Sequence, residues 1–110
     1  MIYSLFSSRS RSEVLLFLNL HETAFIKDMR IRFSASHGKI QEQLNRLEKD
    51  KIVSKRKVKN STPKYFLNPR YPLIKELKAL LKKAFSLLPA KEKAVFTREY
   101  RPYVTYKQIN

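Results

Sequence analysis

Residues 36–51 constrain the chain more than any other stretch. The only aliphatic or aromatic side chains there are Ile40, Leu44 and Leu47, and everything else from Ser36 to Lys51 is polar or glycine. Spacing of i, i+4, i+7 predicts a helix that buries one narrow stripe and leaves a wide polar face outside. Ser36 suits the N-cap, because its side-chain oxygen can accept from an unpaired N–H of the first turn. A helix of this kind cannot be the centre of a core. It must lie on a body built by other segments and present His37, Gly38, Lys39, Gln41, Glu42, Asn45 and Arg46 to something else.

The flanking segments supply that body. Residues 9–20 are helix-compatible and place Val14, Leu15, Phe17 and Leu18 on at least two sides, which predicts a broadly buried first helix. Thr23, Ala24 and Phe25 suit a short edge strand. Ile26, Met29 and Phe33 then mark a two-turn helix over 26–33, closed by Ser34-Ala35-Ser36. Ile52, Val53 and Val58, followed by Tyr65-Phe66-Leu67, flank the polar run Lys59 to Pro63 and predict a lysine-rich hairpin. Pro72 stands at an expected first helical position and Pro89 closes the segment, so 73–88 reads as a further helix. Its stripe is broad: Ile74, Leu81 and Leu88 recur every seven residues, Leu77 and Ala84 fall between them, and Leu73, Leu80, Phe85 and Leu87 widen it. That breadth makes Leu73, Ile74, Leu77, Leu80, Leu81, Ala84, Phe85 and Leu88 the candidate dimer interface. In the tail over 90–110, Pro102 interrupts any helix, and Tyr100, Tyr103 and Tyr106 are expected to pack on the body. There is no internal repeat.

Charge narrows the partner. The 110 residues carry 24 Lys+Arg against 9 Asp+Glu, a formal net charge of +15, so a polyanion is the natural ligand. The excess is uneven: +2 over residues 1–33, +6 over 34–68 and +7 over 69–110. In the middle third Lys55, Arg56, Lys57, Lys59 and Lys64 stand together with no acid among them, and Asn60 lies in the same loop. A merely solvated surface would mix signs more often. The chain has no Cys, which excludes a thiolate site, and its two histidines, His21 and His37, cannot make a closed metal site by themselves; no metal or cofactor is expected. With no glycine-rich phosphate loop and no His–carboxylate pairing of useful spacing, an enzyme is a poor fit. The longest apolar run, Val14 to Leu18, is too short to span a bilayer, and no secretory signal is read; the expected setting is cytoplasmic, associated with the nucleoid.

From Leu5 to about Phe85 the chain resembles ArsR-like and MarR-like winged-helix transcription regulators. Three stretches carry the resemblance: Leu5-Phe6-Ser7-Ser8-Arg9-Ser10-Arg11 before the first helix; Ser36-His37-Gly38-Lys39-Ile40-Gln41-Glu42-Gln43-Leu44-Asn45-Arg46-Leu47-Glu48; and Leu67-Asn68-Pro69-Arg70-Tyr71-Pro72-Leu73. The middle one is similar to a recognition helix, with a capping Ser, an aliphatic at the fifth residue and Leu-x-x-Leu-Glu. The resemblance implies an α+β, mainly α fold: a winged helix-turn-helix over 1–70 with a β-hairpin wing, and an additional C-terminal helix with a basic tail over 71–110. It also implies a DNA-binding regulator. Metal-sensing members use Cys and His ligands that this chain lacks.

The residues support DNA independently. An α-helix fits the major groove; Gln41 and Asn45 can pair with adenine, Glu42 can accept from cytosine, and Lys39 or Arg46 suits guanine or phosphate. Ser36, His37 and Gly38 complete the expected reading face, and Lys55, Arg56, Lys57, Lys59, Asn60 and Lys64 the expected backbone-contacting wing. Two alternatives share the fold: an architectural, chromatin-associated binder that holds DNA through phosphates, and an RNA- or protein-interaction module. Specific against non-specific affinity separates the first, and duplex binding in moderate salt the second.

Overall fold

The computed structural model describes residue 6 and residues 8–33, 36–57 and 62–97. Among these residues the order is α1 (Arg9–His21), α2 (Ile26–Phe33), α3 (His37–Lys49), β1 (Val53–Arg56), β2 (Lys64–Leu67), α4 (Ile74–Ser86) and α5 (Ala90–Thr97). The fold is α+β and mainly helical, with one antiparallel strand pair.

Helix α1 is the axis of the core. Ser8 caps it, its Oγ accepting from the Arg11 N–H at 3.0 Å. Seven consecutive residues, Ser12 to Leu18, are buried, so the helix is covered on all sides as its two-sided apolar pattern predicts. It ends abruptly. Glu22 has φ 69° and ψ −47°, and the Thr23 N–H donates to the His21 carbonyl at 2.8 Å, which together make a γ-turn of the strained, positive-φ hand. That turn delivers Ala24 to β2, where it exchanges both backbone hydrogen bonds with Tyr65, at 3.0 and 2.8 Å. The edge strand expected at 23–25 is thus a single bridge.

The two helices that follow lie where the periodicity puts them. Ile26 and Met29 anchor α2, with Phe33 half-buried, and Ile40, Leu44 and Leu47 anchor α3. The Ser36 Oγ accepts from the Lys39 N–H at 3.2 Å. Helix α3 stops two residues earlier than expected. Lys51 adopts φ 64°, its N–H bonds the Glu48 carbonyl at 3.0 Å, and the Ile52 N–H reaches back to Leu47 at 2.9 Å. This is a Schellman closure with lysine in the position glycine usually takes. Asn68 then ties the base of the strand pair to that closure: its Nδ2 donates to the Lys51 carbonyl at 2.8 Å and its N–H to Ile52, also at 2.8 Å.

Two sequence expectations fail toward the C-terminus. Pro72 is not the first residue of α4. Tyr71 to Leu73 form a turn, closed by the Ile74 N–H on the Tyr71 carbonyl at 3.0 Å, and the helix begins at Ile74 without a side-chain cap. The second is the end of α4, expected at Leu88 but found at Ser86; α5, over residues to which the sequence assigns no element, follows it. Backbone bonds from Leu87 to Ala84 and from Leu88 to Phe85, both 3.1 Å, close α4, and Pro89 opens α5, its carbonyl accepting from Glu92 at 3.0 Å and Lys93 at 2.9 Å. Phe96 is fully buried, with ring centroids 5.1 Å from Phe33 and 5.7 Å from Phe85. Side chains of α2 and α1 close the C-terminal end of α5: Arg32 donates to the Val95 and Phe96 carbonyls at 3.3 and 3.4 Å, and His21 Nε2 lies 2.6 Å from the Phe96 carbonyl. Unpaired carbonyls and the negative end of the helix dipole favour such partners. Residues 34–35, Val58 and the tail tyrosines Tyr100, Tyr103 and Tyr106 lie outside the described residues.

Candidate nucleic-acid interface

Helix α3 divides cleanly into two faces. Ile40, Gln43, Leu44 and Leu47 are buried, and the opposite side carries Gly38, Glu42, Asn45 and Lys49, all exposed. His37, Lys39 and Arg46 are exposed along the edges, and Ser36 sits at the N-terminal end as the cap. Gln43 is turned inward, where its Oε1 accepts from Arg11 Nε at 3.1 Å and fixes α3 to α1. A Cβ placed on Gly38 would meet nothing within 4 Å. Among the described residues no neighbour requires a glycine there.

The outward side chains are already organised. Gln41 Nε2 donates to Asn45 Oδ1 at 3.0 Å and to the Tyr65 hydroxyl at 3.3 Å, so it joins the outward side of α3 to β2. Gln41 is half-buried, and in this respect the structure corrects its expected fully outward position. Arg46 and Glu42 form an ion pair at 2.8 Å between exposed side chains. Engagement of either with a base would exchange that pair, and an exposed i, i+4 pair is worth only about 0.3–0.5 kcal/mol.

Strand alternation sorts the basic residues of the hairpin into two sets. Val53 pairs with Leu67 and Lys55 with Tyr65 on one face; Ser54 pairs with Phe66 and Arg56 with Lys64 on the other. Lys55 belongs to the α3 side, its Nζ 3.6 Å from Glu48 Oε1. Arg56 and Lys64 belong to the far side, with Arg56 over the Phe66 ring at 5.6 Å and Lys64 over Phe25 at 5.5 Å. The six expected wing contacts are therefore not one patch: Lys55 lies next to α3, Lys57 is exposed just beyond β1, Arg56 and Lys64 face elsewhere, and Lys59 and Asn60 lie outside the described residues.

The expected dimer surface is also divided. Leu81, Ala84 and Leu88 are buried in the chain's own core, at 0%, 4% and 6% exposure, and cannot meet a partner. Ile74, Leu77 and Phe85 are half-buried against that core. What α4 leaves outside is Leu73, Leu80 and Leu87, seven residues apart and 57%, 43% and 63% exposed. Leu73 and Leu80 border a groove of about 450 Å³ that is also lined by Phe6, Leu15, Leu47 and Ile52.

One buried carboxylate belongs to neither surface. Burial raises the pKa of Glu13 above the usual carboxylate range, against the hydrogen bond and charge of Arg9 and with some help from Glu92. Among the described residues no group of three His, Asp or Glu is placed to hold a metal ion, and no helix is long and apolar enough to cross a membrane.

The reading from sequence missed Tyr65 as the partner of Gln41, Lys49 on the outward face, and the assignment of Lys78 to the far side of the hairpin. Only Lys49 carried a signal, standing four residues after Asn45. Comparison of the chain with family models, curated proteins and solved structures finds no match.

Proposed function

We propose that the chain is a winged helix-turn-helix DNA-binding regulator, in which α2 and α3 form the helix-turn-helix and the hairpin is the wing. The observation that carries this reading is the outward face of α3. It has no apolar side chain, it offers amide, carboxylate and ammonium groups, and it is bordered by Lys39 and Arg46 on one edge and by Lys55 across the hairpin. In this reading α3 enters the major groove, where Asn45 and Gln41 meet base edges, and Lys55 and Lys57 take phosphates beside it. Gly38 lets the duplex approach the helix backbone closely. The link between Gln41 and Tyr65 sets the angle of the wing against the helix.

A second copy covers Leu73, Leu80 and Leu87. Their seven-residue spacing makes a seam that two antiparallel or parallel α4 helices can share, and three exposed leucines give that contact its apolar surface. A dimer of this kind carries two α3 helices and works on intracellular DNA as a regulator of transcription. No catalytic role is assigned.

Binding of duplex DNA at graded salt concentrations tests the proposal. The logarithm of the affinity should fall linearly with the logarithm of salt, and replacing Lys55 and Lys57 together by Ala should lower the slope by about two units, roughly one per phosphate contact. An unchanged slope would remove the hairpin from the interface. Absence of duplex binding in moderate salt would overturn the function.

A further inference from the structure

The far side of the hairpin opens onto a second concave surface. A cavity of about 390 Å³ lies between the end of α1, β2 and α4, and Arg56, Lys64 and Lys78 line it together with Phe66, Asn19 and Glu22. Arg56 and Lys64 are direct cross-strand partners. Two like charges in that relation destabilise a strand pair. The fold keeps both, each resting on an aromatic ring, which fixes a cation in place without neutralising it. The ion pairs Arg9–Glu13, Arg46–Glu42 and Lys55–Glu48 lie elsewhere and involve none of Arg56, Lys64 and Lys78. Among the described residues that line the cavity Glu22 is the one acid, brought there by the strained turn after α1.

The charge continues past the cavity. Lys75, Lys78 and Lys82 are all exposed and stand at i, i+3, i+7, one stripe along α4 about 10 Å long at 1.5 Å per residue. A small anion would need only the cavity; a row of cations leading out of it matches a polymer with regularly spaced charges. By strand alternation Arg56 and Lys64 point to the face of the hairpin opposite to that of Lys55, which pairs with Glu48 of α3.

We propose that Arg56 and Lys64 of the hairpin, with Lys75, Lys78 and Lys82 of α4, form a second phosphate-backbone surface for duplex DNA, so that one chain holds two duplex segments. The inference rests on the reading of α3 as the first DNA-binding surface. It adds a bridging function that base readout by α3 does not supply. Contact here is with phosphates alone, and is independent of sequence.

A two-duplex capture assay tests it. The full chain is bound to an immobilised duplex, excess is washed away, and a labelled second duplex is added. The wild-type chain should retain the second duplex. Lys75→Gln, Lys78→Gln and Lys82→Gln combined should bind the first duplex within about twofold of wild type but capture about tenfold less of the second, as expected for lost phosphate contacts. Glu22→Gln, which removes the one carboxylate at the rim, should increase capture. Equal loss of first and second duplex in the triple variant would show one continuous interface and overturn the proposal. Second-duplex capture that survives the triple variant but disappears in Leu80→Glu would assign bridging to two copies of α3 in a dimer, and would overturn it as well. Failure to bind the first duplex at all would instead count against the function assigned to α3.

Discussion

Helices α3 and α4 have the same length, 13 residues, and each lays one face against the core built on α1, yet their outward sides are chemically opposite. The outside of α3 is Gly38, Glu42, Asn45 and Lys49, whereas the seam left outside on α4 is Leu73, Leu80 and Leu87. Amphipathic periodicity places a helix on a core, but it does not say what the remaining surface is for. On α3 that surface is rich in groups that pair with base edges and poor in anything that gains from leaving water. On α4 one flank gains from leaving water and the other carries lysines. Under the proposed function the two helices address different partners, α3 a duplex and α4 a second copy, and substitutions on each can break that contrast.

The largest effect should separate two neighbouring residues of α4. Leu81→Ala removes a fully buried side chain and should cost about 2–5 kcal/mol of stability in denaturant unfolding, the range for large-to-small core substitutions. Leu80→Ala should leave the folding of a single chain nearly unchanged and should weaken self-association measured by sedimentation. Similar midpoints for both variants would mean that α4 does not divide into a core side and an outer side.

Asn45→Ala probes the other helix. It should lower discrimination at one or two base positions by about 1–3 kcal/mol while leaving non-specific affinity and stability close to wild type. A uniform loss across all sequences would make α3 a phosphate-binding surface and favour the architectural reading.

Gly38→Ala sharpens the contrast further, because it should act in opposite directions on fold and function. The added methyl group has open space around it and relieves the helix of a glycine, so stability should rise by about 0.5–1 kcal/mol. If the duplex comes close to the helix backbone there, affinity should fall in the same variant. A gain in stability with unchanged DNA affinity would place Gly38 away from the contact.

The smallest effect concerns Glu13, buried in α1 and paired with Arg9. Its folded-state pKa is raised by burial, so the folded chain holds this proton more tightly than the unfolded chain does. The corresponding stabilisation is complete below the usual carboxylate range and is lost as pH rises through the folded pKa. Glu13→Gln should therefore be more stable than wild type at neutral pH, with the difference shrinking as pH falls toward and below that range. Parallel stability curves for the two proteins across acidic pH would contradict this.

Helix α3 was legible because its stripe is thin: Ile40, Leu44 and Leu47 leave one possible orientation, and Ser36 marks the start. The strand pair was legible from two short apolar runs, Ile52-Val53 and Tyr65-Phe66-Leu67, on either side of a polar one. Helix α4 was legible as a helix, but a stripe as broad as 73–88 cannot tell Leu80 from Leu81, because only the position of α1 decides which side is covered. The split of Lys55 from Arg56 and Lys64 needed the exact strand register, since a shift of one residue exchanges the faces. The link from Gln41 to Tyr65 joins positions 24 residues apart and left no mark in either segment. Helix α5 was invisible for a different reason. Its anchor is a single residue, Phe96, and its closing partners, Arg32 and His21, belong to α2 and α1.

The account stands or falls on whether α3 reads sequence. Selection of binding sites from random duplex DNA, run with the wild-type chain and with Gln41→Ala/Asn45→Ala, measures this directly. The wild type should enrich a pseudo-palindrome whose half-sites lie about 10–10.5 base pairs apart, the spacing two recognition helices of a dimer require, and the double variant should lose the enrichment at specific positions within each half-site. Recovery of duplexes without any enriched pattern by the wild type, or the same pattern from both proteins, would contradict it.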